Sequence, residues 1–275
     1  MSASPTGDLS FSFEFKDGHI VAALPALDFT DFKPHPSEVK KTYYALVDSG
    51  SPITIGRQHG TLCFGEKEFD VAPHTTGMVN TTIDVLSELA GFEFDILIGC
   101  NVLAAFDVVI NLKDHKVSFS DKELPITKDH ILVPTTFVMG LPIFVCKTPL
   151  VDAGADARFF FDTGATVGYA TEVSLVTTVS SGVSQEEEEV EDFYPSVGKY
   201  KTRSFRVPIT ILGNKGDDSD EIIPLSHKMK IAALPPRLEA LAHIATGVIG
   251  TELLEHYEVT FLFRRSLTLF TPLST

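Results

Sequence analysis

Two short stretches of this chain repeat one another, and everything else can be ordered around them. Ala45-Leu46-Val47-Asp48-Ser49-Gly50-Ser51 and Phe159-Phe160-Phe161-Asp162-Thr163-Gly164-Ala165 each end an apolar run in Asp, a hydroxyl residue, Gly and a small residue. An apolar strand carries such an Asp out of a core to a tight turn. Glycine lets the backbone fold back where a Cβ would clash, and the Ser or Thr hydroxyl can brace neighbouring backbone. Taken singly, Asp-Ser/Thr-Gly is ordinary turn chemistry. Here the surroundings repeat too. Downstream of Asp48 come Ile96-Leu97-Ile98-Gly99, Asn101-Val102-Leu103 and the strand-like 107–112; downstream of Asp162 come Gly247-Val248-Ile249-Gly250, Glu252-Leu253-Leu254 and 257–262. A helical segment precedes each of these glycines, at 82–90 and 236–243, and each half closes with a charged turn and a last strand. An internal duplication constrains the fold more than any local propensity does.

The flanking strands follow the same plan. Phe11, Phe13 and Phe15 alternate with polar residues, the period of a half-buried strand. Asp17-Gly18 reads as a hairpin turn, 20–29 as strand, 32–41 as a loop, and 42–47 as the strand that delivers Asp48. In the second half 130–138 and 141–151 read as strands about Met139-Gly140, and 152–156 leads into the strand 158–161. Val151-Asp152-Ala153-Gly154-Ala155 imitates the paired motif, but it lacks the hydroxyl residue and falls one strand too early.

Composition narrows the function classes. A net charge of −15 disfavours nucleic acid and anionic membrane surfaces. No stretch approaches the roughly 18 consecutive apolar residues of a membrane helix. Met1-Ser2-Ala3-Ser4-Pro5 lacks a secretory pattern. The odd set Cys63, Cys100 and Cys146 implies no disulfide framework. Both observations lead us to expect a cytoplasmic protein, in which the sequon Asn80-Thr81-Thr82 would be idle. There is no His-Glu-x-x-His, Cys-x-x-Cys, Gly-x-Ser-x-Gly elbow or phosphate-cradling loop, so no metal or cofactor is expected. The 21 Phe residues, with no Trp, read as core filling.

The two motifs together, apolar-apolar-Asp-Ser/Thr-Gly-Ser/Ala followed by apolar-apolar-Gly, resemble the retropepsin and pepsin families of aspartic proteases. The resemblance runs from about Leu9 to Phe270. It implies an all-β fold with short helices, in two pseudo-symmetric lobes, 1–125 and 126–275, each supplying one catalytic aspartate. It implies that Asp48 and Asp162 form the dyad, supported by Ser49, Gly50, Ser51, Thr163, Gly164 and Ala165, with Ser49 and Thr163 interlocking through their hydroxyls. Two carboxylates about 3 Å apart cannot both ionise and share one proton. The expected function is therefore an aspartic endopeptidase, acting as a monomer on an extended peptide. The alternative is a catalytically silent peptide-binding or scaffolding protein on the same fold.

Spacing shows where the halves differ. If 64–67 and 212–215 are matching turns, only 17 residues separate Asp48 from Gly65, against 51 between Asp162 and Gly213. The extra chain holds a Glu-rich run (180–192) and Phe193-Tyr194-Pro195-Ser196-Val197-Gly198-Lys199-Tyr200, which suits a mobile hairpin tip closing over substrate. A single flap from the second lobe is expected, with Tyr194, Val197, Gly198 and Tyr200 meeting substrate. The acidic run at its base reads two ways: as a determinant for basic substrates, or as a solvated loop. Because Ser51 can hydrogen-bond a carboxylate and Ala165 cannot, a mildly acidic optimum is expected.

Overall fold

The computed structural model describes residues 8–25, 29–30, 42–64, 66–75, 80–186, 188–216, 221–236, 238 and 244–273. The first half runs Leu9–Lys16 (β1), His19–Pro25 (β2), Phe29–Thr30 (β3), Thr42–Val47 (β4), Ile55–Gly56 (β5), Gly60–Phe64 (β6) and Lys67–Val71 (β7). Helix Ile83–Ala90 (α1), Ile96–Ile98 (β8), the helical turn Cys100–Leu103 (α2), Asp107–Asn111 (β9) and Lys116–Ser120 (β10) complete it. The second half begins with Ile131–Val138 (β11), Leu141–Lys147 (β12), Ala157–Phe161 (β13), Gly168–Ala170 (β14) and helix Glu172–Ser180 (α3). It continues through Gln185–Glu186 (β15), Val190–Tyr194 (β16), Gly198–Thr202 (β17), Ser204–Lys215 (β18), Ile222–Ala233 (β19) and Gly247–Ile249 (β20). Two 3-10 turns, Thr251–Glu255 and Phe263–Arg265, flank Tyr257–Leu262 (β21) before Leu267–Pro272 (β22).

Pairing makes the duplication explicit. β1–β2 and β2–β4 are antiparallel and β4–β8 parallel, just as β11–β12 and β12–β13 are antiparallel and β13–β20 parallel. Both hairpin turns carry two consecutive residues at positive φ, Asp17-Gly18 (46° and 87°) and Met139-Gly140 (53° and 86°), the twist that a two-residue hairpin requires. The halves join through β9 and β21, so that β1, β10, β9, β21, β22 and β11 form one continuous run of strands. In that seam Val108 faces Phe261, Ile110 faces Val259, and Val109 faces Thr260. Since β9 and β21 occupy matching places, each of the first two pairs is the image of the other, and a pseudo-twofold axis passes between Val109 and Thr260.

Aromatic rings fill each lobe. Phe64 stacks on Phe119 (5.0 Å) and meets Phe11 and Phe106. In the second lobe Phe144 packs on both Phe161 and Phe270, and Phe161 on Phe261, at 5.6–5.7 Å. All of these but Phe11 are essentially inaccessible to solvent, and burying such rings is the largest favourable contribution to folding. The expected role of Phe is therefore met. The three cysteines form no disulfide, and Cys100 and Cys146 are buried. Among the described residues no helix is long and apolar enough to cross a membrane.

Several boundaries differ from expectation. The strand expected over 20–29 stops at Pro25; Phe29–Thr30 belongs to a separate sheet with β6 and β7. β12 ends at Lys147 rather than 151. The segment 212–215 is not a turn but the end of the 12-residue β18. Gly213 is there for close packing, since a Cβ would lie 2.5 Å from Ile131 Cγ2. The acidic run is not one loop: α3 ends inside it, β15 pairs with β18, and its last residues are the first strand of a hairpin. Helix α3 itself, with Thr171 at its N-cap, was not anticipated. The loop at 32–41, Gly65 and most of the expected helix at 236–243 lie outside the described residues.

Candidate active site

Asp48 and Asp162 stand at the ends of β4 and β13, each carried there by an apolar strand held on both edges. Asp48 N–H donates to the Ile98 carbonyl (3.0 Å) and Asp162 N–H to that of Ile249 (2.9 Å), so the parallel partner strand fixes where each aspartate leaves the sheet. The chain then turns back sharply, with Ser51 N–H on Asp48 O (3.4 Å) and Ala165 N–H on Asp162 O (3.2 Å). Within each loop the glycine N–H donates to its own aspartate: Gly50 to Asp48 Oδ1 and Gly164 to Asp162 Oδ1, both 2.8 Å. Behind them the second glycines leave room for the loop. A Cβ on Gly99 would lie 2.3 Å from Ile53 O, and one on Gly250 2.7 Å from Ala165 O.

Across the axis the loops are cross-braced. Ser49 N–H donates to Thr163 Oγ1 (2.9 Å) and Thr163 N–H to Ser49 Oγ (3.0 Å). Ser49 Oγ–H donates to Phe161 O and Thr163 Oγ1–H to Val47 O, both 2.8 Å. Each hydroxyl thus accepts from one lobe and donates to it, and both residues are fully buried. Each loop glycine also faces the other lobe's carboxyl. A Cβ on Gly50 would lie 2.2 Å from Asp162 Oδ2, and one on Gly164 2.7 Å from Asp48 Cγ.

The two carboxyl groups are hydrogen-bonded to one another, and both aspartates are half-buried, with protein packed around their carboxyls. Burial is the largest influence on both and raises both pKa values; the negative charge of Asp162 adds to the rise at Asp48. The loop N–H groups, from Gly50 and Ser51 on one side and Gly164 and Ala165 on the other, oppose it. A pair so placed keeps one proton at a pH where isolated carboxyls have lost theirs. Ser51 does not act as expected: its hydroxyl donates to Ile53 O (2.8 Å), so its support to Asp48 comes through the backbone, as Ala165's does to Asp162. The difference between Ser51 and Ala165 therefore carries no argument about pH. Asp152, in the imitation motif, is an exposed turn residue.

The antiparallel hairpin β16–β17 of the second half lies against this site. Val197 N–H closes its turn on Tyr194 O (2.8 Å), and Gly198 takes φ 84°, a conformation that favours glycine. Tyr194 sits within electrostatic range of both aspartates; burial first, then their charges, raise its phenol pKa. Val197 and Tyr200 pack with Tyr194 on a second-lobe cluster that contains Tyr169, Leu234 and Leu238. Phe193 instead crosses to a first-lobe cluster around Phe94, Leu97 and Ile83. The first-half hairpin β6–β7 points elsewhere: Phe64 lies in the core, and Lys67 Nζ donates to Ala105 O (2.7 Å).

Asp192, Tyr169 and His19, all near the dyad, escaped the sequence reading. Asp192 in β16 accepts from the Tyr169 hydroxyl and from Phe193 N–H (2.7 Å), and its charge raises the pKa of Asp162. Tyr200 O–H donates to Tyr169 Oη (3.2 Å). His19, buried at the start of β2, packs on Phe92 and Phe193. None belongs to a motif. The one available signal was asymmetry: the pairing Lys16↔His19 matches Val138↔Leu141, so a histidine stands where the other lobe has leucine.

The architecture is the pepsin-like aspartic proteinase fold. Among solved structures, an aspartic proteinase from Irpex lacteus is similar over 97% of this chain and 98% of its own, at 9% identity and a TM-score of 0.52. Basic 7S globulin from soybean is similar at 11% identity and 0.52, over 98% of this chain and 96% of its own. Conglutin gamma, a basic 7S globulin from lupine seeds, is similar at 11% and 0.55, with the same coverage. No protein-family model and no curated protein matches the sequence.

Proposed function

We propose that this protein is an aspartic endopeptidase whose reaction is carried by Asp48 and Asp162. The observation that carries the reading is the pair itself: two half-buried, mutually hydrogen-bonded carboxyl groups on symmetric, cross-braced loops. With one proton between them, one carboxylate takes a proton from a water held between the two. The other, protonated, donates to the scissile carbonyl oxygen. The tetrahedral diol so formed collapses as the amine leaves with a returned proton, and no acyl-enzyme is needed. Ser49, Thr163 and the four loop N–H donors keep the carboxyls from reorienting as charge moves between them. β16–β17 is the flap. An extended peptide between flap and dyad would be held by backbone hydrogen bonds, with alternate side chains in pockets on either lobe. In this reading the lobes are residues 1–125 and 126–275, and the protein acts as a monomer.

Pepstatin-sensitive cleavage of a peptide library, lost in Asp162→Asn, is the expected result. A second reading, peptide binding without turnover, is favoured by one feature: the flap's inner face is already packed on both lobes. Saturable peptide binding with no cleavage across pH would select it.

A further inference from the structure

His19 marks the point at which the first lobe departs from its twin. Its counterpart by strand pairing is Leu141, on the lobe from which the flap springs. The flap descends on the other lobe, and there a buried imidazole meets it. The ring is 4% exposed, lies 6.0 Å from the ring of Phe193 on the flap and 5.7 Å from that of Phe92, and sits beside the Gly164 backbone of the dyad loop, which favours its charged form. Asp192 of the flap faces it, and Asp17 stands at the end of its own hairpin. Its Nδ1 is buried with no hydrogen-bond partner among the described residues. An unpartnered buried nitrogen is costly to the fold, so its presence here calls for a functional account.

We propose that His19 is a positioning residue that couples the flap to the dyad loop, with Asp192 as its counterpart on the flap. The kinetic part of this rests on the endopeptidase reading; the structural part does not. One ring touches the backbone that follows Asp162 and the strand that carries Tyr194, so closing the flap and fixing the dyad become one event.

The pair also sets a pH range for closure. Burial is the largest influence on each group, lowering the pKa of His19 and raising that of Asp192, while each favours the charge of the other. Tyr169 and Phe193 N–H favour the Asp192 charge; Asp17 and the Gly164 backbone favour that of His19. Asp162 and Tyr200 are the remaining titratable neighbours of Asp192. Closure is best when the pair holds one proton. A second proton leaves a buried imidazolium uncompensated, and loss of the first leaves a buried carboxylate. The favoured range lies inside the interval between the ordinary carboxyl and imidazole values, about pH 4 to 6.5, since burial moves the two groups toward each other.

Hydrogen exchange of the amides at 190–202, corrected for intrinsic rate, tests this in the whole protein over that range and above it, alongside kcat and KM on a cleaved peptide. In His19→Phe the flap amides should exchange about tenfold faster, with KM raised and kcat lowered to a similar extent, and Tm unchanged or higher because the orphan nitrogen is gone. His19→Gln, which keeps a donor for the Gly164 carbonyl, should recover kcat but not the pH dependence of flap protection. Asp192→Asn should flatten that dependence with His19 in place, and it decides the matter should a His19 variant not fold. Wild-type protection and pH profile in both His19→Phe and Asp192→Asn would overturn the proposal. If the wild type cleaves nothing, the exchange measurement still decides the coupling, and only the endopeptidase reading falls.

Discussion

At the scale of single residues, the proposed mechanism makes Asp48 and Asp162 one unit, and deletions within a unit are not additive. Asp48→Asn and Asp162→Asn should each abolish turnover, and the double variant should be no worse in a single-turnover assay; Asp152→Asn should be silent. The pair's raised pKa has a sign for stability as well. Unfolded aspartates titrate near about 3.9, so above that value folding takes up a proton. The dyad's contribution is fully present below the unfolded value and is lost as pH rises through the folded one. Asp162→Asn should therefore raise Tm at neutral pH, and the gain should vanish near pH 3 in calorimetry (about the unfolded carboxyl value). A bell-shaped, mildly acidic activity profile is still expected, but from burial of the pair and the nearby Asp192 charge. Asp192→Asn should move its alkaline limb to lower pH, because that charge raises the pKa of Asp162. The aspartates were legible because a repeated motif announces itself. Ser51 was misread because sequence names a hydroxyl without giving its direction, and this one donates to Ile53 O.

Among the elements, the hairpin β16–β17 is where chain length was informative and turn chemistry was not. Extra chain after Asp162 pointed to a hairpin around 193–200, and β16–β17 occupies that place. The supporting count was less sound, because Gly213 reads as a turn and is a strand residue pressed against β11. Nothing local distinguishes a glycine that bends from one that admits a neighbour. Replacing 197–199 with a short flexible linker should raise KM and depress kcat together, with stability little altered in a thermal melt. The acidic run needs a different test, since its ends are strands. Glu188, Glu189 and Glu191 are exposed, and changing all three to Gln leaves the backbone intact. A drop in cleavage after Lys or Arg relative to Leu in a library profile would make the run a substrate determinant; an unchanged profile makes it a solvated surface.

For the molecule as a whole, the two halves are sewn together at β9 and β21, and one buried charge reinforces the seam. Asp107, inaccessible to solvent, accepts from Arg265 (2.8 Å), Arg264 (3.3 Å) and Leu124 N–H (2.8 Å). Both arginines keep access to water, so Asp107→Ala should cost about 2 kcal/mol in chemical denaturation, from the lost charge-assisted hydrogen bonds and the unpaired Leu124 N–H. That partnership was not legible, since 157 residues separate Asp107 from Arg264; the strand that carries Asp107 and the charged turn that carries Arg264 were. If β16–β17 is the flap, as proposed, its singleness has one more consequence. An extended peptide has a direction, from its amino to its carboxyl end, whereas a twofold site has none. The dyad and its braces would accept a chain and its reverse alike. A hairpin on one side, with His19 opposed to Leu141, makes left and right different for whatever lies beneath it. The molecule thus reads orientation with a part that does no chemistry, and a substrate and its retro-sequence should compete unequally for it.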